Sequence, residues 1–411
     1  MPRTKSKENE SQKSKTAGTA ALVEAPLLSS EDFTRLALAG AASLLSRAAG
    51  LPPALPPDAA GLTCPKIGLA GGLRLKFHKY MTGFFGLTPS PAPPGPAETL
   101  GDYAGRLWSA WAGQADRTIV FHTSGSTGRP RPHPHPESLL RQEAQMTASF
   151  LQDRARIVTV VPILHFYGLN FGLLVPKFLG LPVLDLAPLP TAAAGVWRGG
   201  DLLVAYPLFI ERLGPSPPED MVLLTATAPC PDRLFQQVRE LGFEGLREIY
   251  GASETGAVGL RLGPGPFSLL KHWRRDGRSR LARSLPEGGE AFHDLPDRLS
   301  WRGPRRFIPL GRLDKAVQVA GVNVYPERVA GLIREHPLVE FCLVRPMTEE
   351  EGGRLKAFVV PKPGASAEDI RRELAAEFRR RLSPPERPAS LTFGTEPPRS
   401  SGLGKFSDWE A

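Results

Sequence analysis

The run Thr123-Ser124-Gly125-Ser126-Thr127-Gly128, continuing through Arg129-Pro130-Arg131, packs four hydroxyl side chains and two glycines into six positions. Glycine lets a backbone take positive φ and approach a ligand closely, while hydroxyls and free N–H groups donate to phosphate oxygens. The chemistry this composition supports is the cradling of an anion. In isolation the run equally fits a Ser/Gly-rich surface turn, and without a Gly-Lys-Ser/Thr ending it is not an ordinary P-loop. Its setting favours the anion: residues 118–121 read as a buried strand entering it, and from Ser138 the spacing of Leu139, Leu140, Met146 and Phe150 predicts a helix leaving it.

Four further stretches bear on the same chemistry. Tyr250-Gly251-Ala252-Ser253-Glu254-Thr255-Gly256 follows a strand and offers a ring to stack on a purine, a hydroxyl for phosphate and a carboxylate for Mg2+. By itself it equally reads as a strand-to-helix turn. Thr225-Ala226-Thr227-Ala228-Pro229 supplies small residues that admit a flat base. Gly311-Arg312-Leu313-Asp314 and Ser401-Gly402-Leu403-Gly404-Lys405 complete the series.

In this order the motifs resemble the adenylate-forming superfamily of acyl-CoA synthetases, aryl-CoA ligases, luciferases and adenylation domains, over about residues 118–411. The resemblance implies that Thr123, Ser124, Gly125, Ser126, Thr127, Gly128 and Arg131 close over the β- and γ-phosphates of ATP. It places adenine against Ala226, Thr227, Ala228 and Tyr250, with Gly251 and Ser253 beside them, and Mg2+ on Glu254. Asp297 would bind the ribose hydroxyls, assisted by Arg312, and Asp314 would be the hinge of a small mobile domain. Lys405 would be the catalytic lysine between the carboxylate and the α-phosphate, with Glu254 and His165 also in catalytic roles. Two positions depart from the pattern: Arg131 and Gln318 stand where similar enzymes carry lysine.

Pro162-Ile163-Leu164-His165-Phe166-Tyr167-Gly168 alone reads as apolar core. At this position it resembles the His-x-Tyr of 4-coumarate:CoA ligases, which implies a pocket of His165, Phe166, Tyr167 and Gly251 around a phenylpropenoic ring, with the tyrosine hydroxyl on the substrate's phenol. The compact length, the 317–325 segment and the ending Gly404-Lys405-Phe406-Ser407-Asp408-Trp409 resemble the short bacterial ligases of the photoactive yellow protein type. The implied reaction turns an aryl acid, 4-coumarate or similar, into acyl-AMP and then into a CoA thioester. A carrier protein is the alternative acceptor, and Arg131 and Gln318 motivate a reading from another class, a catalytically degraded nucleotide-binding protein.

Composition bounds these readings. With 41% hydrophobic and 23% charged residues, the 411-residue chain is ordinary for a globular protein with a sizeable core. The net charge of +9 invites a nucleic-acid partner, but part of it lies in the first 20 residues, which read as a disordered tail, and part in the 274–280 loop, which reads as a solvated excursion. No nucleic-acid or membrane partner is expected: there is no apolar leader, and the longest apolar stretch, 160–176, is broken by Pro162, His165 and Asn170. Cys64, Cys230 and Cys342 lie far apart, which suits a reducing cytoplasm. Pro132-His133-Pro134-His135-Pro136 reads as a stiff loop rather than a metal site.

Strand candidates at 157–161, 202–205, 222–226 and 248–250 alternate with helical stretches, the signature of a layered α/β domain with a mainly parallel sheet. After Asp314 the rhythm shifts to that of a small α+β domain, with strands at 316–319, 341–344 and 355–360 and helices at 326–335 and 367–381. The expected organisation is a tail at 1–28, a large AMP-binding domain with a shortened N-terminal part at 29–313, and a small C-terminal lid domain at 314–411.

Overall fold

A computed structural model describes residues 25–49, 55–123, 131–187, 196–214, 217–228, 230–313, 316–348, 350–398, 400–401, 405–406 and 408–409. Three helices come first: α1 (Ser30–Ala49), α2 (Gly71–Phe84) and α3 (Leu100–Ala112). In α1 the buried Phe33, Leu36, Ala37, Gly40 and Ala41 recur at helical spacing, so one stripe faces the core. In α3 the Thr99 hydroxyl caps the helix by accepting from the Asp102 N–H. Phe33 stacks on Phe85 with ring centroids 3.9 Å apart and touches Trp111 of α3.

The loop of hydroxyls and glycines joins β1 (Thr118–Thr123) to β2 (Arg131–Pro136), which pair antiparallel from Thr118↔Pro136 to Thr123↔Arg131. The segment expected as a stiff loop is therefore a strand. Pro132, Pro134 and Pro136 occupy alternate positions, and lacking N–H groups they fall on the side of the strand that needs no donor, leaving Arg131, His133 and His135 to pair with β1. Helix α4 (Glu137–Ala148) follows at once.

Next come β3 (Arg156–Thr159), a helical segment comprising α5 (Phe166–Leu169), the π-helical turn Asn170–Leu174 and α6 (Val175–Leu179), then β4 (Val183–Asp185) and β5 (Asp201–Ala205). These lead to α7 (Pro207–Ile210), β6 (Val222–Thr225), α8 (Asp232–Glu240), β7 (Gly245–Ala252) and β8 (Gly256–Arg261). The large unit closes with β9 (Phe267–Leu269), β10 (Trp273–Arg275), β11 (Arg280–Ser284), β12 (Glu290–Asp294), β13 (Asp297–Trp301) and β14 (Arg306–Arg312).

One nine-stranded sheet organises this unit, in the order β13-β14-β9-β8-β7-β6-β5-β3-β4. It is parallel from β4 to β7 and antiparallel beyond. Alternate residues of each parallel strand feed opposite cores. Ile157, Leu202, Val204, Val222 and Leu224 join the core holding α1 to α6, while Val158, Leu203, Ala205 and Leu223 join Leu234, Phe235 and Val238 of α8. A sheet covered on both faces needs the continuous apolar runs seen in the sequence. The arginine-rich 274–280 stretch is mostly exposed and turns between β10 and β11 of a three-stranded sheet, with Arg275 4.8 Å over the Trp301 ring and Arg280 4.7 Å over Phe292.

The remaining elements are β15 (Val317–Val319), β16 (Val322–Val324), α9 (Pro326–Arg334), β17 (Val339–Pro346), β18 (Leu355–Pro361), α10 (Ala367–Arg381), β19 (Ser390–Phe393), β20 (Ser400–Ser401) and β21 (Lys405–Phe406). A separate core of Val329, Ile333, Cys342, Val359, Ile370, Leu374 and their neighbours holds this unit together. Cys64, Cys230 and Cys342 are buried free thiols. No described helix is long and apolar enough to cross a membrane.

Candidate active site

Three of the segments singled out above leave the nine-stranded sheet along one edge. Because β6 and β7 are parallel with Thr225 opposite Glu248, Ala226-Thr227-Ala228 and Tyr250 emerge side by side, and the His165 segment follows β3 of the same parallel set. The carboxyl ends of parallel strands are where such sheets bind ligands. Ala226 is buried, Thr227 and Ala228 are half-buried, and Thr227 carries a left-handed backbone with φ of 77°.

Tyr250 to Gly256 joins β7 to β8, so it is a hairpin rather than a strand-to-helix turn. Thr255 closes it, its Oγ1 accepting from the Ala252 N–H at 3.2 Å and donating to the Gly256 carbonyl at 3.0 Å. Gly251 is obligatory: a Cβ there would lie 2.2 Å from the Gly256 carbonyl oxygen. Gly256 has φ of +74°, and a Cβ there would meet the Glu143 carboxylate at 2.1 Å. Ser253 and Glu254 sit half-buried at the tip.

Tyr250 reaches across to the antiparallel half of the sheet. Its hydroxyl donates to Asp297 Oδ2 at 2.6 Å, and Asp297 is the register partner of Arg312. Burial, then the neighbouring Asp297 carboxylate, pushes the phenol far above its ordinary pKa, with Glu254 acting in the same direction. Tyr250, Asp297, Arg312 and Glu254 thus form one polar constellation although 62 residues separate its ends.

His135 bonds the β1–β2 hairpin to this turn, its Nε2 donating to the Ser253 carbonyl at 2.6 Å. Its ring also packs on Phe121 and Phe166, with centroids 5.6 and 4.8 Å away, and Phe121 and Phe166 lie 5.0 Å apart. Phe166 therefore forms an aromatic floor with Phe121 and His135. His165, at the N-cap of α5, has an accessible side chain held below the usual histidine pKa by surrounding protein atoms and by Arg47. Tyr167 corrects an expectation. It is buried, and its hydroxyl donates to the Leu224 carbonyl at 2.7 Å, so that proton is committed to the end of β6 instead of a substrate phenol.

Beneath the turn lies a polar cluster that motif reading missed. Glu143 of α4 is fully buried and accepts from the Ala257 N–H at 2.9 Å. Arg283 of β11, equally buried, donates to the Thr255 carbonyl at 3.2 Å, the Leu139 carbonyl at 2.9 Å and Gln142 Oε1 at 2.9 Å, and lies 3.9 Å from Glu143. The signal was a carboxylate on the apolar face of α4, among Leu140, Ala144 and Thr147. His272 and His135 complete the buried titratable set. Burial pushes His135 down to about 4 and His272 to about 3, with Arg283 adding to both.

These two rings make stability acid-sensitive. The unfolded chain protonates first below about pH 6.5, so stability present at pH 7 is lost as pH falls toward 4, by roughly 2 kcal/mol per ring at pH 5. Urea unfolding at pH 7.5 and 5 measures the loss, and His272→Leu should remove one ring's share.

Some expected residues lie outside the described positions: 124–130 of the phosphate loop, the side chain of Thr123, Asp314, and the side chain of Lys405, whose backbone pairs with Ser401 in the β20–β21 hairpin. Arg131 is exposed at the foot of β2, opposite Thr123. Gln318 donates to Asn323 Oδ1 at 2.5 Å across the β15–β16 hairpin, whose turn brings Gly321 against Thr227: a Cβ on Gly321 would lie 3.2 Å from the threonine Oγ1.

Residues 90–279 match the AMP-binding enzyme family and residues 329–404 the AMP-binding enzyme C-terminal domain. The chain is 37% identical over 315 residues to a 4-coumarate–CoA ligase of Halorhodospira halophila, spanning 75% of this chain and 79% of that one. It is 39% identical over 305 residues to the 4-coumarate–CoA ligase of Rhodobacter capsulatus, spanning 71% and 75%. Its fold matches that of an o-succinylbenzoate CoA synthetase from Bacillus subtilis with a TM-score of 0.57 at 18% identity, covering 72% of this chain and 69% of the other. The chain belongs to the AMP-binding enzyme family, as an AMP-forming acid–CoA ligase working with ATP, Mg2+ and CoA.

Proposed function

We propose that the acid is an aryl carboxylic acid, 4-coumarate or a close relative, and that the residues assembled at the sheet edge serve two half-reactions. The observation that carries the site is the Tyr250–Asp297 bond at 2.6 Å beside Arg312, which joins a ring suited to adenine with a carboxylate suited to ribose hydroxyls. The aryl assignment rests on the two bacterial relatives and on the aromatic floor of Phe121, His135 and Phe166.

In the first half-reaction a carboxylate oxygen of the acid bonds to the α-phosphorus of ATP, and the bond to pyrophosphate breaks. In the second the thiol of CoA attacks the acyl carbonyl, a C–S bond forms, the thiol proton goes to solvent, and AMP leaves. Positioning dominates both steps. Ala226, Thr227 and Tyr250 hold the base, Asp297 and Arg312 the ribose, the 123–131 loop the phosphates, and Lys405 steadies the charge between carboxylate and α-phosphate. His165 lines the acyl side. When bound, Mg2+ neutralises phosphate charge. Glu254 would hold the ion.

Asp314 serves as the hinge between units divided at 313/314, and the Ala320-Gly321 turn against Thr227 is the face that serves the second step. The cytoplasm, where ATP and CoA are available, is the proposed location. Acid-dependent exchange of pyrophosphate into ATP across cinnamic, benzoic and fatty acids tests the reading. Exchange with hydroxycinnamic acids is expected, and none with any aryl acid would sink it. Supplying CoA and holo carrier proteins separately identifies the acceptor, with thioester expected on CoA.

A further inference from the structure

Lys356 stands in the sequence Leu355-Lys356-Ala357-Phe358-Val359-Val360, a lysine within a run that builds the central strand of a sheet. Its side chain is 1% exposed. A buried ammonium is costly unless it is paired and hydrogen-bonded, so its partners reveal why it is kept. One is local: Glu351 Oε1 accepts at 2.6 Å. The others come from the end of the chain. The Trp409 carbonyl accepts from Nζ at 2.6 Å, and Asp408 Oδ1 lies 3.2 Å away.

The neighbours reinforce this grip. Arg345, the register partner of Lys356 on β17, lies 3.6 Å from Asp408 and 5.5 Å from the centre of the Trp409 ring. That ring also meets Lys356 Nζ at 5.3 Å and Phe358 edge-on at 5.6 Å. The chain is therefore fastened to the β17–β18 sheet three residues after Lys405, whose strand is paired on its other side to Ser401.

We propose that Lys356 is a positioning residue for adenylation: through Asp408 and Trp409 it anchors the terminal hairpin and so sets where Lys405 is presented to the carboxylate and α-phosphate. The inference rests on the role given to Lys405 above. Lys356 touches no substrate. Its influence is confined to the half-reaction that uses Lys405, whereas transfer from a ready-made acyl-adenylate to CoA does not need the anchor.

The test measures the two half-reactions separately in the full-length protein: acid-dependent formation of acyl-AMP, and conversion of supplied 4-coumaroyl-AMP plus CoA to thioester. Lys356→Met keeps the stem and removes the charge. Trp409→Ala removes the ring but keeps the carbonyl, so Lys356 retains its polar partners and folding is protected. Lys405→Ala is the control. Adenylation should fall by about 100-fold in Lys356→Met, the scale of a misplacement near 1 Å, and less in Trp409→Ala, with transfer largely kept in both. Equal loss of both half-reactions would make Lys356 merely structural and overturn the proposal. Unchanged adenylation in both variants, with Lys405→Ala inactive in that step, would overturn the anchor while leaving the lysine's role intact. Adenylation surviving in Lys405→Ala would remove that role and the anchor's purpose with it.

Discussion

Asp297→Ala should lower kcat/KM for ATP by about 100-fold, and the loss should lie in recognition of the ribose. The carboxylate is held by the Tyr250 hydroxyl at 2.6 Å, opposite Arg312 in the strand register, so it is fixed before nucleotide arrives. Hydrogen bonds to a charged acceptor contribute about 1.5 to 3 kcal/mol each, and two ribose hydroxyls on one carboxylate at the lower end of that range account for the expected factor. The check is a cycle with 2′,3′-dideoxy-ATP. The parent enzyme should discriminate strongly against the analogue, and Asp297→Ala should use both nucleotides with nearly equal, low efficiency. Continued discrimination by the variant would place the ribose elsewhere. Tyr250→Phe keeps the ring for adenine and frees Asp297 from one donor, and about a tenfold loss is expected from a less fixed carboxylate.

The sequence carried those features whose physical cause is local. Continuous apolar runs marked the strands buried on both faces, and the helix expected at 367–381 is found at Ala367–Arg381, capped by the Ser366 hydroxyl. The segments that leave the parallel strands were legible as motifs because each follows its strand directly. What was not legible depends on partners far along the chain. Pro132 to Pro136 becomes a strand only because β1 supplies a hydrogen-bonding edge to the alternate residues. Tyr167 was read as facing a ligand because its own segment says nothing about the Leu224 carbonyl that takes its proton. Helices α2 and α3 went unread because their apolar residues cover other helices instead of forming an unbroken run. Glu143 and Lys356 were visible as charges in apolar surroundings, but their meaning lies in Arg283 and in Trp409, which no local pattern foretells.

Glu143→Gln should reverse part of the enzyme's pH dependence. Burial pushes the Glu143 carboxyl up to about 7, against the attraction of Arg283 and the Ala257 N–H; among the described residues its Oε2 accepts no hydrogen bond. The folded state therefore holds this proton where the unfolded chain has released it. Stability derived from the protonated carboxyl is complete below about pH 4.5 and declines as pH rises to about 7, by roughly 1.4 kcal/mol per unit. Between pH 5 and pH 8 the difference in unfolding free energy between Glu143→Gln and the parent should shift by about 3 kcal/mol in favour of the variant, whatever its starting value. That comparison cancels the opposing histidine contribution, which both proteins share. The same change bears on activity: ionisation of Glu143 draws Arg283 toward it and away from the Thr255 carbonyl, loosening the turn that presents Ser253 and Glu254. The parent's KM for MgATP should rise with pH through about 7, and the variant's should stay flat across that interval. An identical pH response in both proteins would show that the carboxyl beneath the turn does not titrate there.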